Sequence, residues 1–283
     1  MTSPTGPVID SHTHILPDEF RVDRERWLAA DRTFGTLFAS PKARMASAED
    51  LVREMDAAGV DMAVTAGYGW TSLDAARLSN DYALDAAGRH PGRIIPLCSV
   101  SPLWGRDAVK EIERCAAGGA RGIGELHPDT QGFLDSELGS LAPVMDCARS
   151  LGLPVLCHAS EPVGHAYTGK GTVTPDLVEA LVTAFPANTF IFAHLGGGLP
   201  FYALMPEVAR LIERCYFDTA AWPLLYESRV FEVVTRAAGG DKILFGSDFP
   251  IVPMATALAG LAGLEVTASR QVRGSNSAQL FQI

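Results

Sequence analysis

Short apolar runs alternate with longer amphipathic stretches along the whole chain. The runs are "PVIDSHTH", "VDMAVTAG", "RIIPLCSV", "ARGIGEL", "LPVLCHA", "NTFIFAHL", "CYFDTA" and "KILFGSD". They are rich in Val, Ile and Leu, which predicts strands buried on both faces. The stretches between them have helical spacing: "AEDLVREMDAAG", "LDAARLSNDYALDAAG", "GRDAVKEIERCAAGG", "LAPVMDCARSLG", "PDLVEALVTAF" and "ESRVFEVVTRAAGG". Ser47 followed by Asp50 is placed to cap the first of these, and most end near Gly, as helix C-termini often do.

Strands that alternate with helices imply a parallel sheet with helical crossovers. Eight of them in one α/β chain predict a (β/α)8 TIM barrel, a single domain over residues 1–283; such barrels typically take about 250 residues. The open doubly wound sheet is the rival, but neither GxGxxG nor GxxxxGK[ST] follows the first strand. Two connections are long for simple joints: Pro17 to Met45 after the first strand, and "SEPVGHAYTGKG", Ser160 to Gly171, after the fifth. Long loops in compact domains are often lids or binding loops. The first carries Trp27, Phe34, Phe38, Arg32 and Arg44, with Trp27, Phe34 or Phe38 expected to exclude water from a pocket. The second crowds His165, Tyr167 and Lys170 into a Gly-rich turn, which suggests substrate contacts.

Composition narrows the partners. The chain has 283 residues, 47% of them hydrophobic, and a formal net charge of −10. Phosphate backbones are bound through Lys and Arg, so nucleic acid is not expected, nor is an anionic membrane surface. No apolar run is long enough to span a bilayer, and "MTSPTGPVID" lacks the features of a signal peptide. Cys98, Cys115, Cys147, Cys157 and Cys215 are scattered, which reads as reduced thiols in a cytoplasmic protein. A small-molecule substrate is the expected partner, and a homo-oligomer is left open.

Polar residues punctuate the strand ends. His12 and His14 lie two apart and share a strand face. Glu125 follows "RGIG", His158 faces opposite Cys157, His194 follows "FIFA" and Asp248 follows "ILFG". In a barrel these ends converge on one mouth. Four histidines and two carboxylates are costly to bury together without a cation, and imidazole and carboxylate suit zinc and similar ions. Taken singly, each has a plainer reading: Asp248 as a helix cap, Glu125 as an ion-pair partner of Arg121, His127 as a residue of the rim. His90, in "GRHPG", is read as a helix cap only.

With those residues in view, the chain resembles the amidohydrolase superfamily, specifically its amidohydrolase-2 group of metal-dependent hydrolases and decarboxylases. The matching pieces are "IDSHTH", "GIGE", "CHAS", "AHLGGG", "GSDFP" and the closing "VRGSNSAQLF". The resemblance implies that His12, His14, His158 and Asp248 are metal ligands, that His194 contacts substrate or water, and that Asp248 also moves a proton. "HTHILP" is similar to the start of aminocarboxymuconate semialdehyde decarboxylase. Glu125 departs from that enzyme and is similar to the bridging glutamate of the TatD-like branch, so one or two ions are expected. Zinc is the first choice of metal and manganese the second.

The leading expectation is a metal-dependent hydrolase acting on an amide, lactone or related carbonyl, with Asp248 as proton acceptor and His194 steadying the oxyanion. The alternative is a non-oxidative decarboxylase or hydratase of a small carboxylic acid. There Lys170, Arg32 or Arg44 would hold a second carboxylate. A TatD-like nuclease is a third reading, disfavoured by the net charge.

Overall fold

The structure is a computed structural model that describes residues 6–133 and 138–283. Residues 1–5, part of the opening stretch read above as lacking a leader, lie outside the described residues. Each of the eight apolar runs contains a strand: β1 Ile9–Thr13, β2 Met62–Thr65, β3 Ile94–Pro96, β4 Ile123–Leu126, β5 Val155–Cys157, β6 Phe190–Phe192, β7 Cys215–Asp218 and β8 Ile243–Leu244. All ladders are parallel, in the orders β1-β2-β3 and β4-β5-β6-β7-β8. Single bridges, Cys98 to Ile123 and Thr13 to Phe249, join the two arcs. Backbone bonds at both seams, such as Gly124 N–H to the Cys98 carbonyl (2.9 Å) and Ser11 N–H to the Phe245 carbonyl (2.7 Å), complete the ring. The protein is a TIM barrel.

Ile9, Val64, Ile95, Leu156, Ile191 and Leu244 come from six different strands yet pack in one buried cluster with Phe281. Side chains from strands all round a ring can meet only inside it, so these fill the barrel, as layered interiors of this fold require. The larger apolar core lies between the strands and the outer helices. The helices follow their predicted caps. Ser47 and Asp50 form a reciprocal capping box on Ala48–Ala58, which ends at Gly59 with φ of 70°, a left-handed turn glycine adopts without cost.

Two ladders lose register, β1 with β2 between Asp10 and Thr13, and β4 with β5 between Ile123 and Leu126. Such irregularities re-aim side chains and often border active sites. The first encloses His12 and the second Glu125. The glycine before Glu125 permits a close backbone approach: a Cβ on Gly124, whose φ is +139°, would lie 2.5 Å from the Leu156 carbonyl oxygen.

The segment from Pro17 to Met45 is mostly helical, with Glu19–Val22, Arg24–Ala30 and Arg32–Leu37. Of its three candidate aromatics, Phe38 lines the chamber described below, whereas Trp27 and Phe34 do not. Phe20, Trp27 and Phe34 pack with Trp70 into a satellite core, and Phe38 reaches beyond them to Tyr68. Buried Asp31 ties this core down: it accepts from Phe34 N–H (2.8 Å) and from the Thr71 and Ser72 N–H groups (2.7 Å each).

Candidate metal centre and active site

The mouth of the barrel holds a chamber of about 720 Å³. His14, Glu125, His127, His158, His194 and Asp248 form its floor, and both long loops border it, through Thr36 to Arg44 and through His165 to Gly169.

β1 supplies the first pair. His14 Nδ1 lies 2.9 Å from the Ala66 carbonyl, which can only accept, so Nδ1 carries the proton. His12 Nδ1 lies 2.7 Å from Asp218 Oδ2, and Asp218 is fully buried. The two Nε2 atoms then face each other at 3.0 Å. Between neutral rings that places lone pair against lone pair, a contact that a shared cation relieves. Two nitrogens bound to one ion at a right angle, with bonds of 2.0–2.1 Å, sit about 3 Å apart; tetrahedral geometry would separate them by about 3.4 Å. Asp248 Oδ1 is 3.5 Å from His14 Nε2, and Glu125 Oε2 is 3.7 Å from His12 Nε2 and 3.8 Å from His14 Nε2. His12, His14 and Glu125 can therefore hold a metal ion with small adjustments.

His158 sits differently from the ligand set implied by resemblance. Its Nδ1 is 3.0 Å from Glu125 Oε1, and its Nε2 is 3.2 Å from the Lys170 carbonyl and 3.2 Å from Ser160 Oγ. The donor group it joins is Glu125 and His127 rather than the β1 pair. His127, read as a rim residue, is buried, stacks on His158 at 4.1 Å and directs Nε2 at Glu125 Oε2, 3.8 Å away. The partners of Glu125 are thus histidines, whereas Arg121 is exposed.

His194 occupies a left-handed turn with φ of 56°, unusual for a residue other than glycine. Asp218 Oδ1 secures it by accepting from His194 N–H (3.1 Å) and Ala220 N–H (3.0 Å). His194 Nδ1 donates to the Ala220 carbonyl (2.9 Å), which leaves Nε2 for the chamber. The glycines that follow allow close packing: a Cβ on Gly197 would lie 2.3 Å from the Ser160 carbonyl oxygen. Asp248 also has a left-handed φ, 67°, and donates its N–H to the His12 carbonyl (2.9 Å).

Electrostatics follow from this crowding. Burial raises a carboxyl's pKa, yet the charge drawn onto His12 and the contact with His158 hold Glu125 well below the ordinary range. Asp248 is lowered too, because contact with His14 outweighs its burial together with the charges of the other histidines. Burial favours neutral imidazole, but Asp218 and Glu125 pull His12 well above its usual value, and Glu125 raises His158. Burial and the neighbouring His158 push His127 down to about 3, so it stays neutral. Three carboxylates (Glu125, Asp218 and Asp248) thus face one cluster, an arrangement that favours positive charge at its centre.

The walls are mainly apolar, with Leu37, Phe38, Tyr68, Leu224 and Leu225. Tyr68 stacks on His14 at 3.9 Å. Lys42 and Arg44 line the wall as cations, and Arg44 Nη1 is steadied by the Pro250 and Ile251 carbonyls, each at 3.2 Å. His165 and Tyr167 border the chamber, whereas the Lys170 ammonium is engaged by the Val163 (2.7 Å) and His165 (3.1 Å) carbonyls. Arg32 lies against Gly132, away from the chamber lining.

An amidohydrolase family model matches residues 9–283, nearly the whole chain and every strand described above. The chain belongs to the amidohydrolase family. Within this amidohydrolase barrel the residues the sequence singled out at β1, β4, β5, β6 and β8 stand together at one mouth. Solved structures share the fold. A 5-carboxyvanillate decarboxylase from Sphingomonas paucimobilis is 18% identical over 98% of this chain and 99% of its own, with a TM-score of 0.78. The enzyme of that name from Novosphingobium aromaticivorans, a variant with bound manganese and 3-methoxy-4-hydroxy-5-nitrobenzoic acid, is 18% identical over 100% and 99%, with a TM-score of 0.81. A 2,6-dihydroxybenzoate decarboxylase complexed with 2,6-dihydroxybenzoate is 16% identical over 100% of both chains, with a TM-score of 0.74. No described helix is long and apolar enough to cross a membrane.

Proposed function

We propose that this amidohydrolase binds a divalent ion through His12, His14 and Asp248, with Glu125 closing the set, and non-oxidatively decarboxylates a small, flat hydroxylated acid. This reading displaces the hydrolase expected first from the sequence. The observation that carries it is the chamber itself: metal-capable donors on the floor, aromatic and aliphatic walls, and Lys42 and Arg44 beside them. That lining suits an apolar ring bearing anionic groups. The fold relatives named for 5-carboxyvanillate and 2,6-dihydroxybenzoate decarboxylation support the same class. Manganese is preferred over zinc, because the right-angle spacing of His12 and His14 suits five or six ligands and because one relative holds manganese.

When bound, the ion supplies a Lewis acid that neutralises and polarises the oxygens of a chelating substrate. The protein does the rest. Phe38 and Tyr68 hold the ring and keep water from its face, and Arg44 pairs with an anionic substituent. His194 Nε2 is the proton-carrying atom at the floor, with Asp248 beside it as a carboxylate. The proton passes from His194 Nε2 to the carbon that bears the carboxylate. The bond to that carboxylate then breaks, its electron pair returns to the ring, and carbon dioxide leaves.

A second reading, hydrolysis, has one observation in its favour: Glu125 lies among four histidines and offers an acid–base group that decarboxylation does not need. One experiment separates the two. Manganese-loaded protein is incubated with hydroxybenzoates, including 2,6-dihydroxybenzoate and 5-carboxyvanillate, and with amides and lactones. Release of carbon dioxide, with one deuterium entering the vacated carbon in heavy water, is expected. Turnover of amides or lactones with incorporation of oxygen-18 from water, and no carbon dioxide from any acid, would overturn the proposal.

A further inference from the structure

We propose that Asp129 and Lys170 are positioning residues, which lock the loop after β5 into a fixed wall and hold the Tyr167 ring against substrate. The proposal rests on the decarboxylase reading only for the choice of acids offered to the protein.

Little in the sequence of this loop would order it. "SEPVGHAYTGKGT" has no apolar period, and Pro162 to Ala166 are exposed. Fixing such a segment costs conformational entropy that burial does not return. Specific bonds must supply the order, and they act at the neck, the middle and the tip.

At the neck, the Ser160 N–H donates to the Val173 carbonyl (2.7 Å), so the loop leaves and returns at one point. Asp129, from the short helix Pro128–Gln131 after β4, reaches across to it. Both of its carboxylate oxygens accept from the Thr172 N–H (3.0 Å each), and Oδ1 accepts from the Thr172 hydroxyl. Hydrogen bonds to a charged acceptor are roughly twice as strong as neutral ones. The fit is close: a Cβ on Gly171, whose φ is +65°, would lie 2.4 Å from Asp129 Oδ2. Glycine alone lets the backbone come so near the carboxylate.

In the middle, Lys170 Nζ donates to the Val163 (2.7 Å) and His165 (3.1 Å) carbonyls, which ties the returning limb to the outgoing one. The same ammonium stands 5.9 Å from the Tyr167 ring centroid, within reach of the ring's negative face. The Tyr167 hydroxyl is buried, so what the chamber meets is the ring. At the tip, a Cβ on Gly169 would lie 3.0 Å from Leu37 Cδ2, so the loop abuts the segment after β1. Leu37, Phe38 and Tyr167 thereby form one wall.

A wall fixed at three points needs no ordering when substrate arrives. Releasing either lock transfers that ordering cost to binding and leaves the floor in place, so KM should rise while kcat holds. The Lys170 carbonyl also faces His158 Nε2 at 3.2 Å, a backbone contact that a side-chain change at 170 retains.

The full-length, manganese-loaded protein is read in two ways. Hydrogen exchange reports order: Asp129→Ala and Lys170→Met should each speed exchange over residues 160–173 at least tenfold, with the strands unchanged. Kinetics with 2,6-dihydroxybenzoate and 5-carboxyvanillate report function: each variant should raise KM at least tenfold, with kcat within threefold of wild type and the pH profile unmoved. Asp129→Asn keeps an acceptor for Thr172 and should return KM to within threefold of wild type. Wild-type exchange in either variant, or fast exchange with KM unchanged, would overturn the proposal. So would a fall in kcat with KM held, which would place these residues in the chemistry instead. A wild type that turns over neither acid removes the decarboxylase reading, and the locks then stand or fall on exchange alone.

Discussion

Asp218 is the group on which the metal site's geometry turns. Replacing it with Asn keeps its size and changes one end of its chemistry. The amide oxygen can still accept from the His194 and Ala220 N–H groups, now served by Oδ1 at 3.1 and 3.0 Å. The amide NH2 then takes the place of Oδ2, 2.7 Å from His12 Nδ1. Two N–H donors cannot share that contact, so the ring proton moves to Nε2. That is the atom that faces His14 at 3.0 Å and must present a lone pair to bind metal. The change forfeits a hydrogen bond to a charged group, worth about 1.5–3 kcal/mol. At 1.4 kcal/mol per tenfold, ion affinity should fall roughly 10- to 150-fold, in line with other carboxylates that orient metal-binding histidines. The assay is competition for manganese with a fluorescent chelator at fixed pH, with circular dichroism as the folding control. A folded Asp218→Asn protein that binds within twofold of wild type would refute the tautomer argument.

Three further outcomes are expected. His12→Ala/His14→Ala should lose the bound ion yet keep the barrel's circular dichroism, because both rings sit at the mouth; unchanged metal content would remove them from the site. Glu125→Gln keeps shape and removes charge, so metal affinity and turnover should both fall at least tenfold, and normal values for both would place Glu125 outside the chemistry. Glu111, buried and bound by Arg114 and Asn80, has its pKa lowered because those hydrogen bonds outweigh its burial. Its contribution is present above the ordinary glutamate pKa and is lost as pH falls through the lower folded value; Glu111→Gln should therefore cost about 1–2 kcal/mol at pH 7 and flatten the acid limb of a denaturation series, and an unchanged limb would contradict this.

The barrel was legible because each strand is an apolar run ending in a polar residue. For the same reason the sequence alone marks His12, His14, Glu125, His158, His194 and Asp248. What escaped was set by contacts remote in sequence. Asp218 ends an apolar run too, but nothing local marks it as the partner of His12, 206 residues away. His127 lies just beyond β4, and its stacking on His158 from the next strand shows in no local pattern. Lys170 looked free to meet substrate, but the turn it belongs to consumes its ammonium. Trp27 and Phe34 looked like pocket residues because burial against a neighbouring loop leaves no periodic trace.

The satellite core beneath residues 17–45 has a consequence for how this protein can diversify. Phe38 and Tyr68 belong at once to that core and to the chamber wall. Its other aromatic members, Phe20, Trp27, Phe34 and Trp70, pack on one another, and Asp31 fastens the whole to the turn after β2. Much of the chamber wall and the histidine floor are therefore carried by separate pieces of chain. An exchanged segment that keeps the Asp31 anchor and a ring against Tyr68 can reshape the chamber while the histidine floor stays as it is. Tyr68, stacked on His14, is the hinge of that bargain: it is the wall residue least free to vary, because altering it reaches the floor.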